Sequence, residues 1–337
     1  VLAEAPRPIE LAERGLLPDM AIRLGIRRML AERLESEARS VDRKRQLLSE
    51  LSSGPIAVET DAANRQHYEV PAAFFQIVLG RHLKYSSGYW PSGVHTLDAA
   101  EGAMLELYLE RAQLEDGMRV LDLGSGWGSF SSWLAERHPK SRIVAVSNSR
   151  SQAKHVNARG LSNLTTVTAD VNGFEPEGRF DRVVSIEMLE HVRNHRALFS
   201  RVARWLGPGG KLFAHVFCHR EFAYPFETSG EDDWMGRHFF TGGLMPSEDW
   251  LLHFQDALSL EDRWTLDGRH YARTARSWLA NLDANRERVL GVLRDVYGED
   301  AERWLQRWRM FFLACEELWG FRDGSEWRVA HYRFTSR

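Results

Sequence analysis

Cysteine is nearly missing from this chain. The two present in 337 residues, Cys218 and Cys315, stand far apart and outside any paired metal-ligand spacing. Neither a disulfide framework nor a zinc site is expected, and no metal is assigned. No apolar run approaches the roughly 18 residues that a membrane span needs. No leader pattern is recognisable either, so the cytoplasm is the expected setting. Charge of one sign is also lacking: 44 Lys and Arg against 47 Asp and Glu leave a formal net charge of −3. That is too little to draw the chain to nucleic acid. What is abundant is aromatic surface. Twelve tryptophans and 17 phenylalanines are enough for a bulky core or for a large aromatic pocket.

Three regions follow one another. Residues 8–51 read as helices broken near Leu17-Pro18, with Met20, Ile22, Leu24, Ile26, Met29, Leu30 and Leu34 apolar and Arg23, Arg27 and Arg28 forming a basic face. Such a helix is compatible with peripheral membrane contact, but the balanced regional charge favours packing against the rest of the chain. Between residues 117 and 217, strand and helix signals alternate. Arg119–Leu123, Arg142–Ser147, Leu164–Thr168, Asp181–Ser185 and Lys211–Phe217 read as short buried strands, with helices at Ser129–Glu136 and Arg150–Arg159. That alternation predicts an α/β fold, a parallel sheet covered on both faces. From His219 onward comes a loop rich in acids and aromatics. After it, Trp304, Trp308, Phe311, Phe312, Cys315, Leu318 and Trp319 lie at helical spacing, an arrangement more typical of a core than of a pocket. Trp327–Phe334, after an Asp323-Gly324 turn, reads as a final edge strand.

Val120-Leu121-Asp122-Leu123-Gly124-Ser125-Gly126-Trp127-Gly128-Ser129 sets a glycine-rich turn between a strand and a helix, where a ligand can approach the backbone and a helix N-terminus offers amide donors. Dinucleotide enzymes share a G-x-G, so this alone is weak evidence. Two details turn away from them. The spacing is Gly124-x-Gly126-x-Gly128, not G-x-G-x-x-G, and Asp122 suits an ammonium-bearing ligand or the loop amides better than a pyrophosphate. The next strand ends in Ser147-Asn148-Ser149, with Gln152 following, where a ribose-binding acid would otherwise stand.

The fourth strand runs into Glu187-Met188-Leu189-Glu190-His191, at the carboxyl end of the sheet where ligands collect. Two carboxylates and an imidazole so close together shift one another's ionisation, which makes Glu187, Glu190 and His191 candidate catalytic groups. The plain alternative is that some of them cap the next helix or pair with Arg193 and Arg196. His215, within the fifth strand, reads equally well as a core histidine.

These motifs, with His67-Tyr68-Glu69 and Lys84-Tyr85-Ser86-Ser87-Gly88-Tyr89-Trp90, resemble the cyclopropane fatty-acid synthase and mycolic acid cyclase superfamily of S-adenosylmethionine-dependent methyltransferases. Within it the chain is most similar to the coclaurine N-methyltransferases. That likeness runs from the N-terminal helices through Leu105–Tyr108, Phe217-Cys218-His219 and Glu231–Gly243 to Glu326–His331. The resemblance implies a Rossmann-like class I fold: a seven-stranded sheet with its last strand antiparallel, an N-terminal helical extension over residues 1–60, and a methyltransferase domain over 61–337 carrying a helical, aromatic substrate cap within 219–325. It implies that Tyr85, Ser86, Asp122, Gly124, Gly126, Asn148, Gln152, Asp170 and Val171 bind S-adenosylmethionine. Tyr68, His215, Phe239, Phe240, Tyr271, Trp319 and Trp327 would line the acceptor pocket. His215 and Tyr271 match positions that help hold a bicarbonate ion in lipid-modifying members. Two departures stand out: Ser87 replaces a cysteine of that ion's pocket, and Glu69 replaces an aspartate. The implied reaction is N-methylation of a small aromatic or aryl-alkyl amine. The alternative is methylation or cyclopropanation of an unsaturated acyl chain. A homodimer is compatible with the sequence, which does not set the oligomeric state.

Overall fold

The computed structural model describes residues 7–40, 42–58, 70–228 and 233–337. Helices α1 (Pro8–Glu13), α2 (Asp19–Arg39) and α3 (Arg43–Glu50) precede α4 (Ala72–Val78) and α5 (Leu97–Ala112). Strands and helices then alternate as expected: β1 (Arg119–Leu123), α6 (Ser129–Arg137), β2 (Arg142–Ser147), α7 (Arg150–Asn157), β3 (Leu164–Thr168), β4 (Phe180–Ile186), α8 (His195–Trp205) and β5 (Leu206–His219). The remainder holds β6 (Tyr224–Pro225), α9 (Trp234–His238), β7 (Leu244–Met245), β8 (Leu258–Leu266), α10 (Arg269–Ala284), α11 (Arg286–Tyr297), α12 (Ala301–Gly320) and β9 (Trp327–Ser336).

Seven strands form one sheet in the order β3-β2-β1-β4-β5-β9-β8. The pairs among β1 to β5 are parallel, and β9 runs antiparallel to both of its neighbours. The period-two alternation of a strand supplies both faces at once. Val120, Val184 and Phe213 join the core that lies under α5, α10 and α12, while their chain neighbours Leu121, Val183 and Leu212 join the core under α8. Near-continuous Val/Leu/Ile runs are what a sheet buried on both faces requires.

The final strand is not an edge. β9 lies between β5 and β8 and is buried along most of its length. The edge is β8, which the sequence reading missed. Glu261, Asp262 and Arg263 interrupt its apolar pattern, and such charges blunt an edge against further pairing. The 219–325 stretch therefore gives a strand to the main sheet as well as covering it. The N-terminal helix also packs differently from its apolar pattern. Ile22 and Leu34 are buried, but Met20 and Leu24 face solvent. Part of the contact with α12 is made by the basic side instead, where Arg23 donates to Glu316 at 2.7 Å and to Glu317 at 2.6 Å. Arg27 pairs with Glu317 too. Among the described residues, no helix is long and apolar enough to cross a membrane.

Candidate active site

Strand order reverses around β1, whose neighbours are β2 and β4, so the carboxyl ends of β1 and β4 open a crevice. The glycine turn lines it. Gly124 N–H and Ser125 N–H both donate to Val146 O, at 3.0 and 2.9 Å, tying the turn to β2. Gly124 and Gly126 sit at φ +91° and +52°, the left-handed region that favours glycine. A Cβ on Gly124 would come within 2.6 Å of Met188 Cγ, whereas one on Gly126 would meet nothing within 4 Å. Gly126 thus presents bare backbone to the cleft.

Most of the expected cofactor residues gather there. Gly124, Gly126, Asn148, Gln152 and Val171 line one lobe, and Tyr85, Ser86 and Asp122 line the adjoining one. Gln152 Oε1 accepts from Ser147 Oγ at 2.6 Å, so a serine and an amide close the β2 end where an acid would otherwise sit. Asp170 stands apart from the cleft wall. Its carboxylate folds back on its own loop to accept from Asn172 N–H at 2.6 Å. Asp122 is buried, which pushes its carboxyl up to about 7. Its Oδ2, Ser129 Oγ and Trp127 Nε1 are buried and meet no protein partner. Orphaned polar atoms of both signs facing one cleft fit a zwitterionic ligand with ammonium and carboxylate groups. The amino-acid end of S-adenosylmethionine is such a group.

The acidic turn after β4 closes the other side. Glu187 adopts φ +46°, strained for a non-glycine residue, and its N–H donates to His215 O at 2.9 Å. That backbone turn points its carboxylate into a ring of donors. Oε1 accepts from Ser87 N–H at 3.0 Å and faces His215 Nε2 at 3.0 Å, and Oε2 accepts from Tyr271 O–H at 2.7 Å. Burial raises the Glu187 carboxyl, and Lys84, the Ser87 amide and Tyr271 pull it back. Lys84 is itself buried, which lowers its ammonium to about 8. Its Nζ donates to Ser87 O at 2.8 Å.

His191 faces both lobes and stacks on Phe240 with ring centroids 4.5 Å apart. Burial lowers it to about 4, so it is a neutral imidazole at pH 7. Glu190 turns the other way. Only 1% exposed, it accepts from Phe217 N–H at 2.7 Å through Oε1, and burial with the nearby Glu187 charge pushes its carboxyl well above the usual range.

The expected aromatic wall is partly in place. Phe240 and Tyr271 line the cleft. Phe239 stands behind it, stacked on Phe311 at 4.4 Å, and Trp319 backs Tyr271 at 4.6 Å with the rings 3° from parallel. His215 is fully buried behind Glu187. Trp327 lies elsewhere. It is buried where β9 meets the loop after β5, and its Nε1 donates to Tyr224 O–H at 2.9 Å. Tyr68 falls outside the described residues. The sequence reading missed Phe217, Trp278 and Phe311, which complete the wall. Phe311 belongs to the aromatic stripe of α12 read as core, and helical spacing alone does not tell which turn of that stripe meets the cleft.

A protein-family model described as mycolic acid cyclopropane synthetase matches residues 58–327. The (S)-coclaurine N-methyltransferase of Thalictrum flavum subsp. glaucum is 36% identical, covering 100% of this chain and 96% of its own. The cyclopropane-fatty-acyl-phospholipid synthase of Escherichia coli (strain K12) is 28% identical, over 80% of this chain and 67% of its own. A crystal structure of coclaurine N-methyltransferase bound to N-methylheliamine and SAH superposes with a TM-score of 0.93 at 35% identity, covering 97% of this chain and 98% of that one. The glycine turn, the orphaned polar cleft and these likenesses agree: the chain belongs to the mycolic acid cyclopropane synthetase family and is an S-adenosylmethionine-dependent methyltransferase.

Proposed function

We propose that this enzyme methylates the nitrogen of a small aromatic or aryl-alkyl amine, with Glu187 and His191 facing the acceptor. The observation that carries the reading is the donor ring around Glu187. Ser87 N–H, His215 and Tyr271 O–H, which by the resemblance correspond to the bicarbonate pocket of lipid-modifying members, are all engaged by a carboxylate of this chain. A built-in anion removes the need for a diffusible one. The similarity to amine methyltransferases, one of them solved with N-methylheliamine, supports the same reading.

S-adenosylmethionine supplies an already activated methyl on a sulfonium. The chain's own residues therefore align the nucleophile and exclude water. An amine attacks only through a neutral lone pair. His191, neutral and fixed against Phe240, accepts a hydrogen bond from the acceptor N–H and orients it. With its basicity lowered to about 4, it is a poor resting place for the proton. Glu187, raised by burial, takes that proton as the new N–CH3 bond forms. Glu190 positions Phe217 in the wall. The flat faces of Phe240, Tyr271 and Phe311 hold an aryl ring at less entropic cost than a flexible acyl chain. The test is a product screen by mass spectrometry. A tetrahydroisoquinoline should gain a methyl on nitrogen, whereas methylation of phenols alone would contradict the proposal.

A further inference from the structure

Behind the donor ring lies a row of polar groups that the reaction does not touch. The β5–β9 register sets His215 directly opposite His331, and the β8–β9 register sets His331 opposite Trp264. Both histidines are fully buried. Arg111, near the end of α5, lies over the Trp264 ring at 5.1 Å and reaches His331 Nδ1 through Nη1 at 2.8 Å. His331 Nε2 is 3.0 Å from His215 Nδ1, and His215 Nε2 is 3.0 Å from Glu187 Oε1.

A guanidinium donates and never accepts. His331 Nδ1 must therefore be the acceptor, which leaves its proton on Nε2 to donate to His215 Nδ1. His215 Nδ1, also approached by Tyr108 O–H at 2.8 Å, then carries no proton of its own. The His215 proton is left on Nε2, aimed at the carboxylate. We infer that Arg111 and His331 are positioning residues: their one-way chain of hydrogen bonds holds His215 as the tautomer that donates to Glu187 and so keeps that carboxylate ionised. The opposite tautomer would set an imidazole lone pair against the carboxylate and favour its protonated form. Glu187 is also faced by Lys84 and Tyr108, by Glu190 and His191 of its own turn, by Tyr271 from α10 and by Cys315 from α12. None of these groups fixes the His215 tautomer: the Tyr108 hydroxyl both donates and accepts, so it follows whichever tautomer the chain sets.

The test uses the full chain labelled with 15N-histidine, in which two-bond 1H–15N correlations separate Nε2–H from Nδ1–H rings. His215 is expected as Nε2–H. Arg111→Met and His331→Phe break the chain at two depths, while His331→Gln offers an amide that can accept from Arg111 and donate to His215. The acidic limb of kcat/KM for tetrahydroisoquinoline should move up by about 0.5 to 1 pH unit in the first two variants and return toward its starting place in the third. Repeating the profile with a less basic fluorinated analogue identifies the limb that belongs to the acceptor. An Nδ1–H His215 in the unaltered protein overturns the inference, as does an unmoved limb in a folded Arg111→Met. The kinetic arm rests on the proposed role of Glu187, whereas the spectrum does not. No amine turnover with an Nε2–H His215 would sink the proposed function and leave the chain standing.

Discussion

The two ends of the cleft are built by different rules. The cofactor end comes mostly from short contiguous stretches, Asp122 to Gly128 and Ser147 to Gln152, on adjacent strands. Its form is set by backbone: positive-φ glycines, amides tied to β2, and a bare surface at Gly126. The end proposed to take the acceptor is set by side chains. Ser87, Glu187, His215, Tyr271 and Phe311 come from five separate segments, and three of them meet on the carboxylate of Glu187. A backbone-made site tolerates change around it and suits any reaction that uses the same donor. A side-chain-made site is where one family can acquire different acceptors, because small changes in shape or in buried polar partners redirect specificity.

Substitutions should separate the two ends. The largest effect is expected for Glu187→Ala, which removes the proposed proton acceptor and leaves three donors without a partner. Turnover should fall by roughly 10²-fold or more, while calorimetry finds cofactor affinity little changed. Gly126→Val should do the reverse. A β-branched side chain at φ +52°, projecting into the cleft, should weaken cofactor binding by about tenfold, on the order of 1.4 kcal/mol. Unchanged binding in that variant would move the cofactor away from the turn. Phe311→Ala opens the aromatic wall, so steady-state kinetics should show a KM for the amine several-fold higher with the cofactor KM unmoved. The smallest effect belongs to the N-terminal helix. Arg23 is 25% exposed and Glu317 keeps Arg27, so Arg23→Met should cost about 1 kcal/mol or less, seen as a melting shift of a few degrees at most. A loss of amine turnover in Arg23→Met would mean that α2 shapes the acceptor end as well.

The same division decides what the sequence made legible. β1, β2 and β3 have the bounds their apolar runs predict, and the glycine turn falls where expected, because local conformation is written in local residues. Glu187, Glu190 and His191 were legible as a group, but not in their orientations. A positive φ at a glutamate sends Glu187 into the donor ring and leaves Glu190 facing the sheet. β8 was hidden by its charges, and its absence made β9 look like an edge. The expected pocket includes Trp327, and only the β5–β9 register, which sets it opposite His219, shows it buried away from the cleft. The link from Arg111 to Glu187 needs the β5–β9 register, which no spacing along the chain contains.

If the Glu187 carboxylate takes the place of a diffusible anion, the acceptor is an amine and bicarbonate plays no part. The direct measurement is a side-by-side assay of methyl transfer from S-adenosylmethionine to tetrahydroisoquinoline and to vesicles of unsaturated phospholipid, each with and without bicarbonate. Transfer is expected to the amine alone, rising with pH as the amine deprotonates and indifferent to bicarbonate. Transfer to the vesicles alone, dependent on bicarbonate, would contradict it.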